Sequence, residues 1–134
     1  MPGAERSPTE TVDRYLQLCE DRELNAATRL LAPEARLVFP GGRCYASLRD
    51  MAAGEGGGRY RWVRKRRERY FEGRTSDGLA TVTSLGSLYG EDAWGTPFDG
   101  VRYVDVFVLR QGLIAEQHVC NDLAESGIGT PAGG

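Results

Sequence analysis

The stretch Tyr103-Val104-Asp105-Val106-Phe107 decides the fold of this sequence. Successive side chains of a strand point to opposite faces, so the two valines lie on one face and the other three residues on the other. Both faces of the strand 101–110 are therefore apolar at its centre. An antiparallel strand with one face in water would alternate instead. We expect one face to meet helices and the other to meet a second copy of the chain, which predicts a homodimer packed through its sheet.

Asp105 is the anomaly in this strand, because a carboxylate between Tyr103 and Phe107 at mid-strand should be largely buried. Burial without a cation costs several kcal/mol for the ionised form and raises the pKa. Two readings stay open at this point. Asp105 forms a structural ion pair with one of the arginines, or it is an acid that faces a cavity and takes part in chemistry.

The sequence before this strand predicts three helices. Ser7-Pro8-Thr9-Glu10 combines a capping residue, a proline suited to the first helical position and a glutamate that can bond back. A second helix is predicted from Leu24 through Leu31 and is ended by Pro33. Ser47 is expected to cap a third helix, after which Gly54–Gly58 forms a break.

The remaining segments predict strands. The expected bounds are 35–39, 43–46, 61–72, 79–89, 101–110 and 113–121, with a long connection at 90–100 and a hairpin turn at Gln111-Gly112. Helices come early and antiparallel strands come late, which predicts an α+β fold with the helices on one face of the sheet. We expect one domain over residues 8–125, with disordered ends at 1–7 and 126–134.

Length and composition exclude several classes of protein. A chain of 134 residues is too short for a dinucleotide fold plus a substrate domain, and no apolar run reaches the roughly 20 residues of a membrane helix. One histidine rules out a three-histidine metal site, so we expect no metal and no cofactor. Three cysteines at unrelated spacings do not form a disulfide framework, and with no signal peptide evident this predicts a cytoplasmic protein.

The charge is unevenly distributed. Seven of the eleven residues from Arg59 to Arg69 are basic and one is acidic, so the net charge of −2 combines +6 there with −8 elsewhere. Lys65 is the only lysine among 17 basic residues, an imbalance that we attribute first to coding bias. The basic run invites a nucleic-acid interpretation, but alternation divides it between both faces of a strand and the whole chain is acidic. We therefore expect no nucleic-acid partner.

Three segments resemble the NTF2-like superfamily and, within it, SnoaL-like proteins. They are Val12-Asp13-Arg14-Tyr15, the turn at 30–35, and Tyr103–Phe107 together with Gly112-Leu113-Ile114. The resemblance covers residues 8 to about 124. It implies a cone in which a curved, mixed but mostly antiparallel sheet wraps around three helices from the N-terminal half and encloses a pocket. The superfamily includes isomerases, polyketide cyclases, epoxide hydrolases, dehydratases and non-catalytic binders, so fold alone assigns no reaction.

The resemblance also implies roles for individual residues. In ketosteroid isomerases a tyrosine of the first helix and a protonated aspartate of a strand form an oxyanion hole, and Tyr15 and Asp105 match them. The general base would fall in the segment 37–40, where Phe39 stands instead and cannot abstract a proton. The segment at Gln117 has no carboxylate at the inward position that limonene-type hydrolases require. In a SnoaL-like cyclase one inward acid transfers the protons. Of these enzymes it therefore depends least on residues that this sequence lacks.

Further residues are candidates for binding a ligand. If the last strand keeps the register of the superfamily, Gln117 and Asn121 face the pocket, while His118 and Cys120 face outward. His118 is then an interface residue rather than a catalyst, and a Cys–His nucleophile is disfavoured. Aromatic side chains near the expected opening of the cone suit a planar or polycyclic ligand. These are Phe39, Tyr45, Trp62, Tyr70 and Tyr103.

The sequence thus favours a cofactor-free enzyme that acts on a hydrophobic, oxygenated small molecule. Asp105 would be the acid or base, and Tyr15 would donate a hydrogen bond to a carbonyl or enolate oxygen. Cyclisation, isomerisation and dehydration all fit these roles, which correspond to the isomerase and lyase classes. The alternative is a non-catalytic dimer that binds a small molecule or a protein.

Overall fold

A computed structural model describes residues 6–54 and 60–128. The helices in this part of the chain are α1 (Pro8–Glu20), α2 (Leu24–Thr28) and α3 (Leu48–Gly54). The strands are β1 (Leu31–Phe39), β2 (Arg43–Tyr45), β3 (Tyr60–Arg74), β4 (Ala80–Asp92), β5 (Pro97–Arg110) and β6 (Leu113–Asn121). Most of the predicted break at 54–58 lies outside the described residues, as do positions 1–5 and 129–134 of the two ends that the sequence predicts to be disordered.

Helix α1 begins as the sequence predicts. The Ser7 hydroxyl accepts a hydrogen bond from the Glu10 amide at 3.1 Å, and the Glu10 carboxylate accepts one from the Ser7 amide at 2.8 Å. This reciprocal capping box satisfies two donors that a helix N-terminus leaves unpaired. Ser47 caps α3 in a similar way, by accepting a hydrogen bond from the Asp50 amide at 3.0 Å.

The six strands form one open, mixed sheet in the order β2-β1-β6-β5-β4-β3. Strands β1 and β6 are parallel, and every other neighbouring pair is antiparallel. The inner face of the sheet packs against α1, and Tyr15, Leu37, Phe107 and Ile114 are almost fully buried between them. The predicted α+β fold with its helices on one face of the sheet is therefore confirmed.

The boundary between α2 and β1 differs from the prediction. The helix ends at Thr28, and the strand begins at Leu31 instead of residue 35. Strand β6 causes this change, because Leu31 pairs with Ile114 and the Ile114 amide donates to the Leu30 carbonyl at 2.8 Å. Pro33 is tolerated in β1 because it lies where the register shifts, and a proline there removes no necessary ladder hydrogen bond.

The predicted long connection at 90–100 is wrong. Strand β4 continues to Asp92 and β5 begins at Pro97, so only residues 93–96 form the turn. The Asp92 carboxylate accepts hydrogen bonds from the amides of Trp94 and Thr96, both at 2.9 Å, and Gly95 takes a φ of +84°. These side-chain hydrogen bonds and this glycine close a tight hairpin that hydrophobic patterning does not reveal.

Two glycines let β3 lie unusually close to β4. A Cβ atom on Gly86 would come within 1.9 Å of the Arg66 carbonyl oxygen, and one on Gly90 within 2.1 Å of the Trp62 carbonyl oxygen. The register of β3 shifts beside both contacts, between residues 60 and 62 and between 67 and 69. Glycine at such positions permits a close approach of backbones and a strong local bend.

The chain beyond β6 stays hydrogen-bonded past the predicted domain end at residue 125. The Ser126 amide donates to the Asp122 carbonyl and the Ile128 amide to the Leu123 carbonyl, both at 2.9 Å. Leu123 is buried in a small cluster with Leu88, Val101 and Tyr103. The C-terminal turns therefore cover one end of the sheet.

Candidate functional site

A cavity of about 170 Å³ lies between α1 and the inner face of the sheet. It is comparable to a cavity of about 150 Å³ that holds benzene, which indicates room for a ligand of about one ring in its enclosed part. Polar and apolar side chains both line it. They are Tyr15, Leu16, Cys19, Glu20, Arg22, Phe39, Met51, Tyr60, Trp62, Val63, Lys65, Leu88, Tyr103, Gln117, Val119, Asn121 and Leu123.

Lys65 is, with Arg22, one of the two cations that line this cavity among the described residues. Its Nζ atom lies 2.9 Å from Oδ2 of Asp105, whose side chain is completely buried, while the Lys65 side chain is 21% exposed. The same Nζ lies 5.3 Å from the centre of the Tyr103 ring, a favourable position for a cation. Asp105 does not line the cavity. The group that faces a ligand is therefore the ammonium, with the carboxylate behind it.

The pKa shifts of the pair follow from burial and mutual charge. Burial raises the pKa of Asp105, against the opposing effect of the Lys65 charge and hydrogen bond. Burial acts to lower the pKa of Lys65, but the charge and hydrogen bond of Asp105 outweigh it, and this pKa is raised as well. Both directions favour the proton-bound forms, so Lys65 is an ammonium at neutral pH.

Tyr15 and Gln117 form a second buried pair. The Tyr15 hydroxyl donates a hydrogen bond to Oε1 of Gln117 at 2.8 Å. Burial, with smaller contributions from Cys19 and Asp105, raises the pKa of Tyr15 well above its usual value, so the hydroxyl keeps its proton. Because Gln117 accepts through Oε1, its Nε2 group remains as the donor toward the cavity.

Asn121 is oriented in the same way. Its Oδ1 atom accepts a hydrogen bond from the Leu123 amide at 3.1 Å, which leaves the side-chain N–H groups for the cavity. Lys65, Gln117 and Asn121 therefore all present N–H donors. A cavity lined in this way suits a ligand whose oxygen atom accepts hydrogen bonds.

Glu20 is the only carboxylate that lines the cavity among the described residues. Its Oε2 atom accepts hydrogen bonds from the Lys65 backbone amide at 2.9 Å and from the Arg67 guanidinium at 3.2 Å. These contacts tie the end of α1 to β3. Glu20 therefore fixes the backbone from which Lys65 projects, and its Oε2 atom is already engaged.

The structure divides the predicted aromatic residues into two groups. Phe39, Trp62 and Tyr103 line the cavity. Tyr45 and Tyr70 do not: the Tyr45 ring packs edge-on against Phe39, with centroids 5.7 Å apart, and the Tyr70 hydroxyl donates to Asp13 at 2.6 Å. Tyr45 therefore supports the cavity wall from behind, and Tyr70 ties α1 to β3.

The last strand has the predicted faces. Gln117, Val119 and Asn121 line the cavity, while His118 lies on the outer face with its Nε2 atom 2.8 Å from Oε1 of Glu116. Cys120 is exposed on the same outer face, and the three cysteines are free thiols. His118 is thus far from the chemistry of the cavity, as the alternation of the strand predicts.

Two expectations about Asp105 need correction. It does not face the cavity, and its partner is the single lysine instead of one of the 16 arginines. One signal for this partner was present in the sequence. Lys65 is the only lysine, a scarcity that we attributed to coding bias. Sequence reasoning also missed Cys19, whose thiol lines the cavity, and burial raises the pKa of that thiol to about 11. Cys19 is therefore a poor nucleophile.

Residues 6–54 and 60–128 contain no cluster of three or more histidine, cysteine, aspartate or glutamate side chains arranged to hold a metal ion. Across the same ranges, every helix is too short or too polar to cross a membrane.

Comparison with solved structures places this open α+β cone among known folds. An NTF2-like protein of unknown function from Burkholderia pseudomallei is 17% identical, with a TM-score of 0.75 over 89% of this chain and 93% of that one. TerC, co-crystallised with polyporic acid, is 16% identical, with a TM-score of 0.76 over 92% and 98%. A putative polyketide cyclase from Pseudomonas putida is 19% identical, with a TM-score of 0.65 over 90% and 96%.

The chain therefore has the NTF2-like fold, as the resemblance of its short motifs predicts. At these identities the likeness defines the fold and not the reaction. No protein-family model and no curated protein sequence matches the chain. The chemistry that the cavity supports is therefore determined by the side chains that line it.

Proposed function

We propose that this protein is a cofactor-free, cyclase-like enzyme that acts on a hydrophobic, oxygenated small molecule in the cone. The observation that carries the proposal is the Lys65 ammonium, which lines the cavity and is fixed from behind by the buried Asp105 at 2.9 Å. A cation held in place at a site of low dielectric stabilises negative charge that develops on a substrate oxygen.

The proposed roles follow the geometry. Lys65, Gln117 and Asn121 would hold the carbonyl oxygen of the substrate and stabilise it as it becomes an enolate or alkoxide. Asp105 would act through Lys65 as a positioning residue. Tyr15 would act through Gln117, because its proton is already donated to that amide. In this proposal the acid that meets the substrate is the ammonium and not the aspartate.

The same geometry ranks the candidate reactions. Isomerisation requires a base that takes a proton from carbon, but Phe39 occupies the expected place of that base and Glu20 is already bound by Arg67. Aldol cyclisation and dehydration also take a proton from carbon, but water can accept that proton and return it to oxygen, whereas isomerisation requires one base that keeps the proton and delivers it to a second carbon. We therefore favour cyclisation or dehydration. The fold shared with a putative polyketide cyclase supports this choice without identifying a substrate.

A model reaction can test the proposal. Heptane-2,6-dione cyclises by aldol addition and loses water to give 3-methylcyclohex-2-enone, which is followed by ultraviolet absorbance. We expect the protein to accelerate this reaction and Lys65→Met to lower the rate by about 10²-fold, the usual cost of removing one oxyanion donor. Arg66→Gln on the outer face is the matched control. Full activity in Lys65→Met would contradict the proposal.

A second candidate is a non-catalytic protein that binds the same class of ligand. It is favoured by one observation: among the described residues, the only carboxylate that lines the cavity is Glu20, and Arg67 and the Lys65 backbone amide hold it through Oε2. Binding of heptane-2,6-dione, detected by NMR titration and weakened in Lys65→Met, without acceleration of the cyclisation would select this alternative.

We also propose that the protein is a homodimer that packs through the outer face of its sheet. Val104 and Val106 lie there, half-buried in a single chain. We expect Val106→Asp to convert the dimer to a monomer in sedimentation velocity. A monomeric wild type would refute the proposal. A cytoplasmic location and the absence of a nucleic-acid partner stay predictions.

A further inference from the structure

Arg22 occupies a backbone position that normally selects glycine. Its φ is 60°, in the left-handed region, immediately after the last residues of α1. The Glu23 amide donates to the Leu18 carbonyl at 2.9 Å and the Arg22 amide to the Cys19 carbonyl at 3.2 Å. These two hydrogen bonds define a Schellman motif, in which the left-handed residue is usually glycine because a Cβ atom there is strained.

Only one other non-glycine residue in the described ranges has a positive φ. It is Gln111, with a φ of 53°, and it forms the two-residue turn between β5 and β6 together with Gly112 at 80°. A two-residue hairpin turn of this type requires positive φ at both positions, so the turn itself explains Gln111. The helix end at Arg22 offers no such explanation for a long, charged side chain.

The side chain of Arg22 differs from the other charged groups of the cavity. Lys65 is paired with Asp105, and Glu20 with Arg67. Arg22 lines the cavity and is exposed, and within residues 6–54 and 60–128 its guanidinium makes no hydrogen bond or ion pair. An exposed residue that also lines the cavity lies at its opening. Its guanidinium is therefore a cation at the opening whose donors have no partner among the described residues.

We propose that Arg22 binds an anionic group of the ligand, a carboxylate, at the opening of the cavity. This inference rests on the proposed function, and it adds a second polar group to the ligand. The ligand would be a hydrophobic carboxylate whose carbonyl or hydroxyl oxygen reaches Lys65, Gln117 and Asn121 inside, while its carboxylate stays at the rim. Arginine suits that end because its planar fork of donors matches a carboxylate.

The strained backbone then has a physical reason. Residues held in unfavourable backbone conformations cluster at active sites and at positions that hold ligands. Glycine at position 22 would complete the Schellman motif without strain but would remove the cation. Arg22 is thus a specificity-determining residue whose cost is a less favourable helix end. Replacing Arg22 with glycine should therefore weaken binding of the carboxylate without lowering the stability of the protein.

The experiment uses two matched one-ring probes, 4-acetylbenzoate and its neutral methyl ester. Both present the same ketone, and only the first carries a carboxylate. NMR titration at low salt gives the affinity of each for the full chain. We expect the wild type to prefer the carboxylate by about fivefold, the size of a partly exposed ion pair. Arg22→Gly should bind both equally, with a melting temperature that is unchanged or a few degrees higher.

Gln111→Gly is the matched control, since it removes the same backbone strain far from the cavity. It should keep the fivefold preference for the carboxylate. Arg22→Asn, which tolerates the left-handed conformation without the charge, should lose the preference as Arg22→Gly does. A preference retained in Arg22→Gly, or a lower melting temperature in that variant, would overturn the role of Arg22. Equal binding of both probes to the wild type would also overturn it and leave the proposed function standing. Binding of neither probe would overturn both.

Discussion

Two ion pairs in this protein start from neighbouring residues and have almost the same length. Lys65 meets Asp105 at 2.9 Å, and Arg66 meets Asp99 at 2.8 Å. Consecutive residues of a strand point to opposite faces, so the first pair lies inside the cone and the second outside it. The first has side-chain exposures of 21% and 0%, and the second 47% and 60%. Distance alone therefore says little about what each pair does.

Burial makes the two pairs different. An exposed pair is screened by water and contributes at most about 1 kcal/mol. A buried pair has lost the hydration of both charges, so neither partner can be removed without leaving the other uncompensated. The inner pair is consequently important for stability as well as for the proposed chemistry. The outer pair can change with little consequence, and Arg66 also stacks over the Tyr89 ring, 4.0 Å from its centre.

The largest expected effect comes from removing the inner cation. Lys65→Met leaves Asp105 fully buried without its cation, which raises the pKa of this carboxyl further and should lower the free energy of unfolding by about 3–5 kcal/mol. Urea denaturation followed by circular dichroism measures this. The double variant Lys65→Met with Asp105→Leu should recover most of the loss, because it removes both charges. A loss below about 1 kcal/mol in the single variant would show that Asp105 is not a buried charge.

A second change removes the inner anion and is read out through protonation. In the wild type Asp105 raises the pKa of Lys65 against the effect of burial, so in Asp105→Asn burial alone remains and the pKa should fall. Lys65 is the only lysine, so acetylation by acetic anhydride, followed by mass spectrometry across pH, reports on it directly. We expect the midpoint of labelling above the ordinary lysine pKa of about 10.4 in the wild type and below it in Asp105→Asn.

The sign of the pH dependence of stability follows from the same pair. Because the folded pKa of Lys65 is raised, its contribution is present below the unfolded pKa of about 10.4 and is lost as pH rises through the folded value. The pKa of Asp105 is raised too, so protonating this carboxyl in acid favours the folded state, unlike a carboxylate whose pKa is depressed. Equal labelling midpoints in wild type and Asp105→Asn would contradict the coupling.

The inner face of β6 could be predicted from sequence, because regular alternation fixes it. Gln117, Val119 and Asn121 follow each other at every second position, and one correct register assigns all three. The capped start of α1 could be predicted for a similar reason, since its signals are local. Local signals did not predict the boundary between α2 and β1, because Leu31 pairs with the distant strand β6 instead of extending α2.

The partner of Asp105 could not be predicted, and the reason is also physical. Strand β4 lies between β3 and β5, and its small inner residues Ser84 and Gly86 leave room for Lys65 to reach across. The register of β3 shifts twice, so alternation does not tell which basic residues of the run point inward. The scarcity of lysine distinguishes Lys65 from the other basic residues, but composition does not tell which way a side chain points.

The smallest expected effect comes from the outer ion pair. Arg66→Gln removes the outer cation but leaves Asp99 60% exposed, where water solvates the carboxylate. The free energy of unfolding should fall by no more than about 0.5–1 kcal/mol, and the difference should shrink further in 1 M salt, where the Debye length is about 3 Å. Paired urea denaturations at low and high salt measure this, with Lys65→Met as the reference. The inner variant should keep most of its deficit in salt, because bulk ions do not reach a buried carboxylate. If Arg66→Gln cost as much as Lys65→Met, or if salt removed both deficits equally, burial would not be what separates the two pairs.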